Sequence, residues 1–242
     1  MPARQPRPRS PRLPVLGADG CPDHWVVAEV DAAAPREQRT VRWHLLPVDP
    51  AELLALSAVA VAIDVPIGLP PTGSRPCDDA ARELLGPARS SVFYTPSRPV
   101  LEAADSHAAC TLAWSRGELA PSRQLWGIQP RIRAVDRTLQ AAAPNDRDRV
   151  VECHPELSLR ALAGTPHLAG KRTAPGVGRR IAALASFVDP AAALVDAPVE
   201  ARVDDALDAL ACAWTAARWH AGTARVLGGE PDGRGLPMRI VS

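Results

Sequence analysis

Carboxylates stand at the ends of apolar segments in four places along this chain. Asp19 closes "PVLGADG", Asp64 closes "VAVAID", Glu152 lies in "RVVEC", and Asp204, Asp205 and Asp208 open "DDALDALACAWTAARW". An unpaired charge at the end of a buried segment is costly. Each of these groups therefore calls for a hydrogen-bonded turn, a cationic side chain or a metal ion. Oxygen ligands of this kind suit hard cations such as Mg2+ and Mn2+. Two such ions can activate a water and stabilise the leaving oxygen in phosphodiester hydrolysis.

Simpler readings compete at each position. Asp19 precedes Gly20 and suits a turn; Asp64 suits an Asx turn before Pro66; Glu152 suits a surface strand position. Capping and the helix dipole favour aspartates in a first turn by roughly 0.3–1 kcal/mol. That accounts well for Asp204, adequately for Asp205 and poorly for Asp208, which lies past the exposed donors. Asp205 and Asp208 are three apart, so they share a helix face. The residues from Ala209 to Ala217 carry no charge, so the rest of that helix should be buried.

Other side chains could serve a phosphate-bearing substrate. Lys171, His154, Arg98 and Arg82 are the candidates for substrate binding, with Arg75 a further cation. Surface solvation is the commoner role for such arginines, and a backbone-bonded structural role is as natural for His154. Lys171 is the only lysine beside 27 arginines, which reflects either chance in an arginine-rich chain or a need for an ammonium at that position. Phe93 and Trp126 could stack on a base or anchor loops. Cys153 has no second cysteine or histidine at a spacing that supports zinc.

The elements that must position these groups follow from patterning. Strands are expected at 14–20, 24–30 and 39–48, the second and third joined as a hairpin through the polar loop 31–38. A short helix starts at Asp49 as N-cap with Pro50 at its first position. The continuous apolar run 59–65 reads as a central strand covered on both faces. Helices are expected at 77–86, about 99–117 and 130–142, the last begun by Pro130. A strand at 149–153 follows, then helices at 155–163, 177–187 and 204–220, and a final strand "PMRIV". Antiparallel strands followed by helix-linked parallel ones imply an α/β sheet with helices on both sides.

Composition sets outer bounds. The 242 residues suit one large domain, and the net charge of +1 creates no global field that would select nucleic acid or membrane. Residues 1–14 hold five prolines and four arginines and read as a disordered basic tail. The five cysteines show no CxxC spacing, and no run is long and apolar enough to cross a membrane. The expectation is a cytoplasmic protein with reduced thiols and no membrane partner.

The chain also resembles a known family. The carrying pieces are "GADGC" with Trp25, "AIDVPIGLP", "RPCDDAARELLG" with "SSVF", "PSRPVL", "SRQLWGIQPRI" with Asp136, "VVECHPELSL", the Lys171 segment, "DDALDALACAWTA" and "GLPMRIV". Together they resemble domain of unknown function family 429, described as predicted nucleases with an RNase H-like fold, over residues 15–242. The resemblance implies a mixed five-stranded sheet flanked by helices, with a helical insertion at about 75–147 between strands four and five. It implies active carboxylates on strands one and four and on a C-terminal helix. Those map to Asp19, Asp64 and Asp205 or Asp208 as ligands of Mg2+ or Mn2+, with nucleic acid as the partner. The pattern departs at Ala134, where many members of the family carry an acid before Val135; if that acid serves metal binding the departure implies weaker affinity, while Asp136 remains.

The function expected is a metal-dependent nuclease or phosphodiesterase. A phosphotransferase of the actin and sugar-kinase type shares this core, but needs a Gly/Thr-rich phosphate loop where this chain has Gly20, Cys21, Pro22 and Asp23. A non-catalytic interaction module that keeps the carboxylates as structure is the third reading.

Overall fold

The computed structural model describes residues 13–242. The tail expected over 1–14 therefore falls outside the described residues as far as position 12. Pro14 is already part of the fold, since its carbonyl accepts a hydrogen bond from the Val59 N–H.

Five strands build the main sheet: β1 (Val15–Gly20), β2 (His24–Val30), β3 (Val41–Pro47), β4 (Ala60–Ile63) and β5 (Val150–Glu152). Their spatial order is β3-β2-β1-β4-β5. β1 pairs antiparallel with β2, and β2 with β3, whereas β1–β4 and β4–β5 are parallel. This is the mixed RNase H-like sheet that the resemblance implied. The parallel strands end at one edge of the sheet, the edge where open α/β sheets bind their ligands.

Residues between β4 and β5 form α2 (Pro76–Leu85), α3 (Arg98–Leu101), α4 (Ser106–Ser115), α5 (Arg123–Ala141) and α6 (Pro144–Asp148); α1 (Pro50–Ala55) precedes β4. After β5 come α7 (Pro155–Ala163), α8 (Ala174–Leu184), α9 (Pro190–Val195) and α10 (Val203–His220), then a separate hairpin of β6 (Val226–Pro231) and β7 (Pro237–Val241). The segment expected as one helix at 99–117 is two, split at residues 102–105, where Asp105 caps α4 by accepting from Ala108 N–H.

α5 corrects a sequence reading. Pro130 does not start the helix but sits inside it; Ser122 is the N-cap, its hydroxyl accepting from Leu125 N–H. Pro130 is solvent-exposed, so its ring and missing donor fall on the outer side, where they disturb no core packing.

Alternation along the strands sorts side chains onto two faces. Val15, Ala60, Ala62, Val151 and Cys153 pack with Leu207, Leu210 and Ala213 of α10 and with residues of α7 and α8. Leu16, Ala18, Val61, Ile63 and Val150 pack on the opposite face with Leu53 of α1 and Ile132, Val135 and Leu139 of α5. A third cluster joins α2, α7 and the hairpin through Cys77, Leu157 and Ile240.

Gly17 sets how closely α10 approaches. A Cβ at this position would lie 1.9 Å from the Ala213 nitrogen and 2.2 Å from the Ala209 carbonyl oxygen. Backbone therefore meets backbone where β1 crosses α10. Of the uncharged span expected to be buried, Ala209–Ala213, Thr215 and Ala216 are buried, whereas Trp214 and Ala217 are half-buried.

Candidate metal centre

The register of the parallel strands brings the first two carboxylates together. Ala18 pairs with Ile63, and Ile63 with Glu152. The next step outward sets Asp19 beside Asp64, whose N–H donates to the Ala18 carbonyl at 3.1 Å. By the same alternation both side chains fall on the α10 face. α10 brings its first turns to that edge, and with them Asp204, Asp205 and Asp208. Asp19, Asp64, Asp204, Asp205 and Lys171 border one hollow of about 290 Å³. An adjoining hollow of about 460 Å³ is bordered by Asp64, His154, Lys171, Arg180 and Asp208.

Burial raises the proton affinity of this cluster. Asp19 is only 9% exposed. Its carboxyl is pushed well above the ordinary aspartate range by burial first, then by the charges of Asp208, Asp64 and Asp205, with Lys171 opposing. Asp64 is pushed up to about 7 by burial, again against Lys171. Asp208 rises to about 6 from burial and the Asp64 charge, while the Lys171 ammonium and Arg180 hold it back. Lys171 borders both hollows, with Asp19, Asp64, Asp204 and Asp205 in the first and Asp64 and Asp208 in the second.

The α10 carboxylates divide their work. Asp205 accepts a hydrogen bond from the Arg202 N–H and so closes the helix N-terminus. Asp204, the residue sequence reasoning assigned to capping, instead pairs with Arg202 at 3.2 Å and lies 3.7 Å from Lys171. Asp208 accepts from the Lys171 ammonium at 2.7 Å.

Cys21 was missed. Among the described residues, one set of ligand atoms from Asp19, Cys21 and Asp205 lies within 4.8 Å of one another. Burial, the neighbouring Asp19 and Asp205 charges and a hydrogen bond to Asp205 push the Cys21 thiol up to about 12. A thiol is a soft donor and suits a hard cation less well than a carboxylate oxygen does. The carboxylate oxygens of Asp19 and Asp205 are of the donor type that hard cations take, and Asp64 lies outside that close group while bordering the same hollow. The signal for Cys21 was its place two residues beyond Asp19, at the turn leaving β1. Arg131 of α5 holds that turn by donating to the Cys21 carbonyl.

Glu152, expected among the catalytic carboxylates, borders the first hollow together with Arg75. It faces the α5 side, one register step back from the cluster, and both its oxygens are engaged. Arg75 donates to Oε1 at 2.8 Å and to Oε2 at 2.6 Å, and the Ile67 N–H donates to Oε2 at 2.8 Å. Arg75 also pairs with Asp78, which in turn accepts from the Thr95 N–H at 2.8 Å. Glu152 is therefore the partner of a buried guanidinium that ties α2 and the Thr95 segment to β5.

Two arginines named for substrate binding are committed elsewhere. Arg98 is bound by Asp136 and Asp232. Arg82 donates to the Val92 and Arg89 carbonyls and stacks over Tyr94 at 4.3 Å. Neither borders the two hollows, and Asp136, spent on Arg98 and Gln140, does not either. His154 borders both; its Nε2 is 3.2 Å from the Ser91 carbonyl oxygen and its Nδ1 has no partner. Burial lowers its pKa, so it is neutral near pH 7. Phe93 borders both hollows, whereas Trp126 packs in the small cluster around Val100 and Ala113.

No helix among the described residues is long and apolar enough to cross a membrane. No curated protein and no solved structure matches the chain. One family model does, over residues 17–233, and that span includes every carboxylate of the cluster. The chain belongs to the family described as "Protein of unknown function (DUF429)".

Proposed function

We propose that this protein is a metal-dependent phosphodiesterase acting on nucleic acid or a nucleotide, with Asp19, Asp64 and Asp205 as ligands of Mg2+ or Mn2+. The observation that supports this most is the excess of buried carboxylates over cations at the ends of β1 and β4 and at the start of α10. Such an excess is costly in the protein alone and is relieved by a bound cation.

A divalent ion held there by Asp19, Asp64 and Asp205 would supply an activated water and charge stabilisation for a leaving oxygen. The chain's own groups do the rest. Asp19 and Asp64 are fixed by the β1–β4 ladder, so two ligands stand on rigid elements. Asp205 is held by the helix N-terminus it closes. Arg172 and Arg202 border the hollow and give its rim a positive charge that attracts a phosphate. Phe93 and Ile128 also border the hollow, and an aromatic side chain there suits the flat face of a base.

The test is hydrolysis of labelled single-stranded, duplex, hybrid and branched nucleic acids, and of nucleotides, by purified protein with Mn2+ or Mg2+. Asp19→Asn serves as the control. Ion-dependent cleavage by the wild type, lost in the variant, supports the reading. No cleavage of any substrate, together with no effect of either ion on stability, favours a non-catalytic interaction module.

A further inference from the structure

Lys171 is placed more firmly than a surface lysine needs to be. It stands in the loop between α7 and α8, and that loop is pinned on both sides of it. Arg180, itself 3% exposed, donates to the Ala169 carbonyl at 2.7 Å. The Gly170 carbonyl accepts from the Thr173 N–H at 2.9 Å and from its hydroxyl at 2.8 Å. A Cβ on Gly176 would lie 2.0 Å from the Gly170 carbonyl oxygen, so the first turn of α8 is seated directly on the loop. The ammonium that results lies 2.7 Å from Asp208 and 3.7 Å from Asp204. Its charge also reaches Asp19 and Asp64.

We infer that the Lys171 ammonium takes the place of a second divalent ion, so that the cluster binds one metal ion rather than two. The inference rests on the metal-centre reading above. Hydrolytic sites of this kind commonly hold two ions about 3.5–4 Å apart. Here Asp208, the carboxylate that would serve the second ion, is already engaged by a fixed monovalent cation. The need for a compact, strongly hydrated charge explains why the chain's only lysine stands here. A guanidinium is a broad planar fork and does not fill the space of a small ion.

The experiment is calorimetric titration of the wild type with MnCl2, checked by the amplitude of the free Mn2+ electron paramagnetic signal. Lys171→Met is titrated alongside. The wild type is expected to bind one ion per chain and the variant two, the second more weakly. Because the Lys171 side chain is 44% exposed, the substitution leaves the core intact, and Lys171→Gln is a second variant of the same design. Two ions in the wild type overturn the inference while leaving the metal centre standing. One ion in both variants overturns it too, because Asp208 then recruits nothing when freed. No ion in the wild type overturns the metal centre itself, and this inference with it.

Discussion

The Asp64 N–H donates to the Ala18 carbonyl at 3.1 Å, so the β1–β4 ladder runs one bond past the end of the β4 strand. That bond fixes Asp64 beside Asp19. It explains how a carboxylate persists at the end of a fully buried strand. The backbone is satisfied by the sheet, and under the proposed function the side chain is left to serve an ion.

Gly17→Ala should damage both fold and site. The new methyl would overlap the backbone of α10 at Ala209 and Ala213, and neither helix backbone nor sheet can yield easily. Overpacking of this kind costs on the order of 3 kcal/mol. Denaturant unfolding measures it, and a loss under about 0.5 kcal/mol would show that α10 is not held against β1 at this point.

Arg75 and Glu152 should behave as structural partners. Arg75→Met leaves Glu152 and Asp78 buried without a counter-charge, at a cost of about 3–5 kcal/mol. Glu152→Gln should also lower stability, whether or not Mn2+ is present. Urea melts of both variants test this. Unchanged stability in Glu152→Gln with lost hydrolysis would return Glu152 to the catalytic set.

The cluster should make stability depend on pH in a definite direction. Asp64 rises from 3.8 in the unfolded chain to about 7 in the fold. Between those values the folded state holds a proton that the unfolded chain has released. The metal-free protein therefore loses stability as pH rises from about 4 to about 7, and the loss is complete above that. Asp208, pushed up to about 6, acts in the same sense. The stabilisation produced by Asp64→Asn should accordingly be small at pH 5 and larger at pH 8. Melts of both proteins across this range without metal report the difference, and a difference that does not change with pH would remove the buried charge from the explanation.

Much of the site was legible because strand ends and helix starts announce themselves. Asp19 and Asp64 each close an apolar run, and Asp208 stands too deep in its helix for capping to explain. The ion pair of Glu152 with Arg75 was not legible because β5 is covered on both faces, and a continuous apolar strand hides which residues point which way. Arg75 was unreadable as a core residue because arginine is nearly always exposed unless paired, and its partners lie 3 and 77 residues away. The β6–β7 hairpin escaped notice in half, since β6 carries two adjacent glycines and is mostly exposed.

The most direct test of the metal centre is the melting temperature of wild type and Asp64→Asn with and without Mn2+. Removing one charge from a crowded cluster should stabilise the metal-free variant by about 1–2 kcal/mol, or about 2–8 °C for a chain of this size. Asparagine is a weak ligand for a hard cation, so the Mn2+-induced rise seen in the wild type should shrink or vanish in the variant. Equal Mn2+-induced shifts in the two proteins would contradict the account, because Asp64 would then hold no ion.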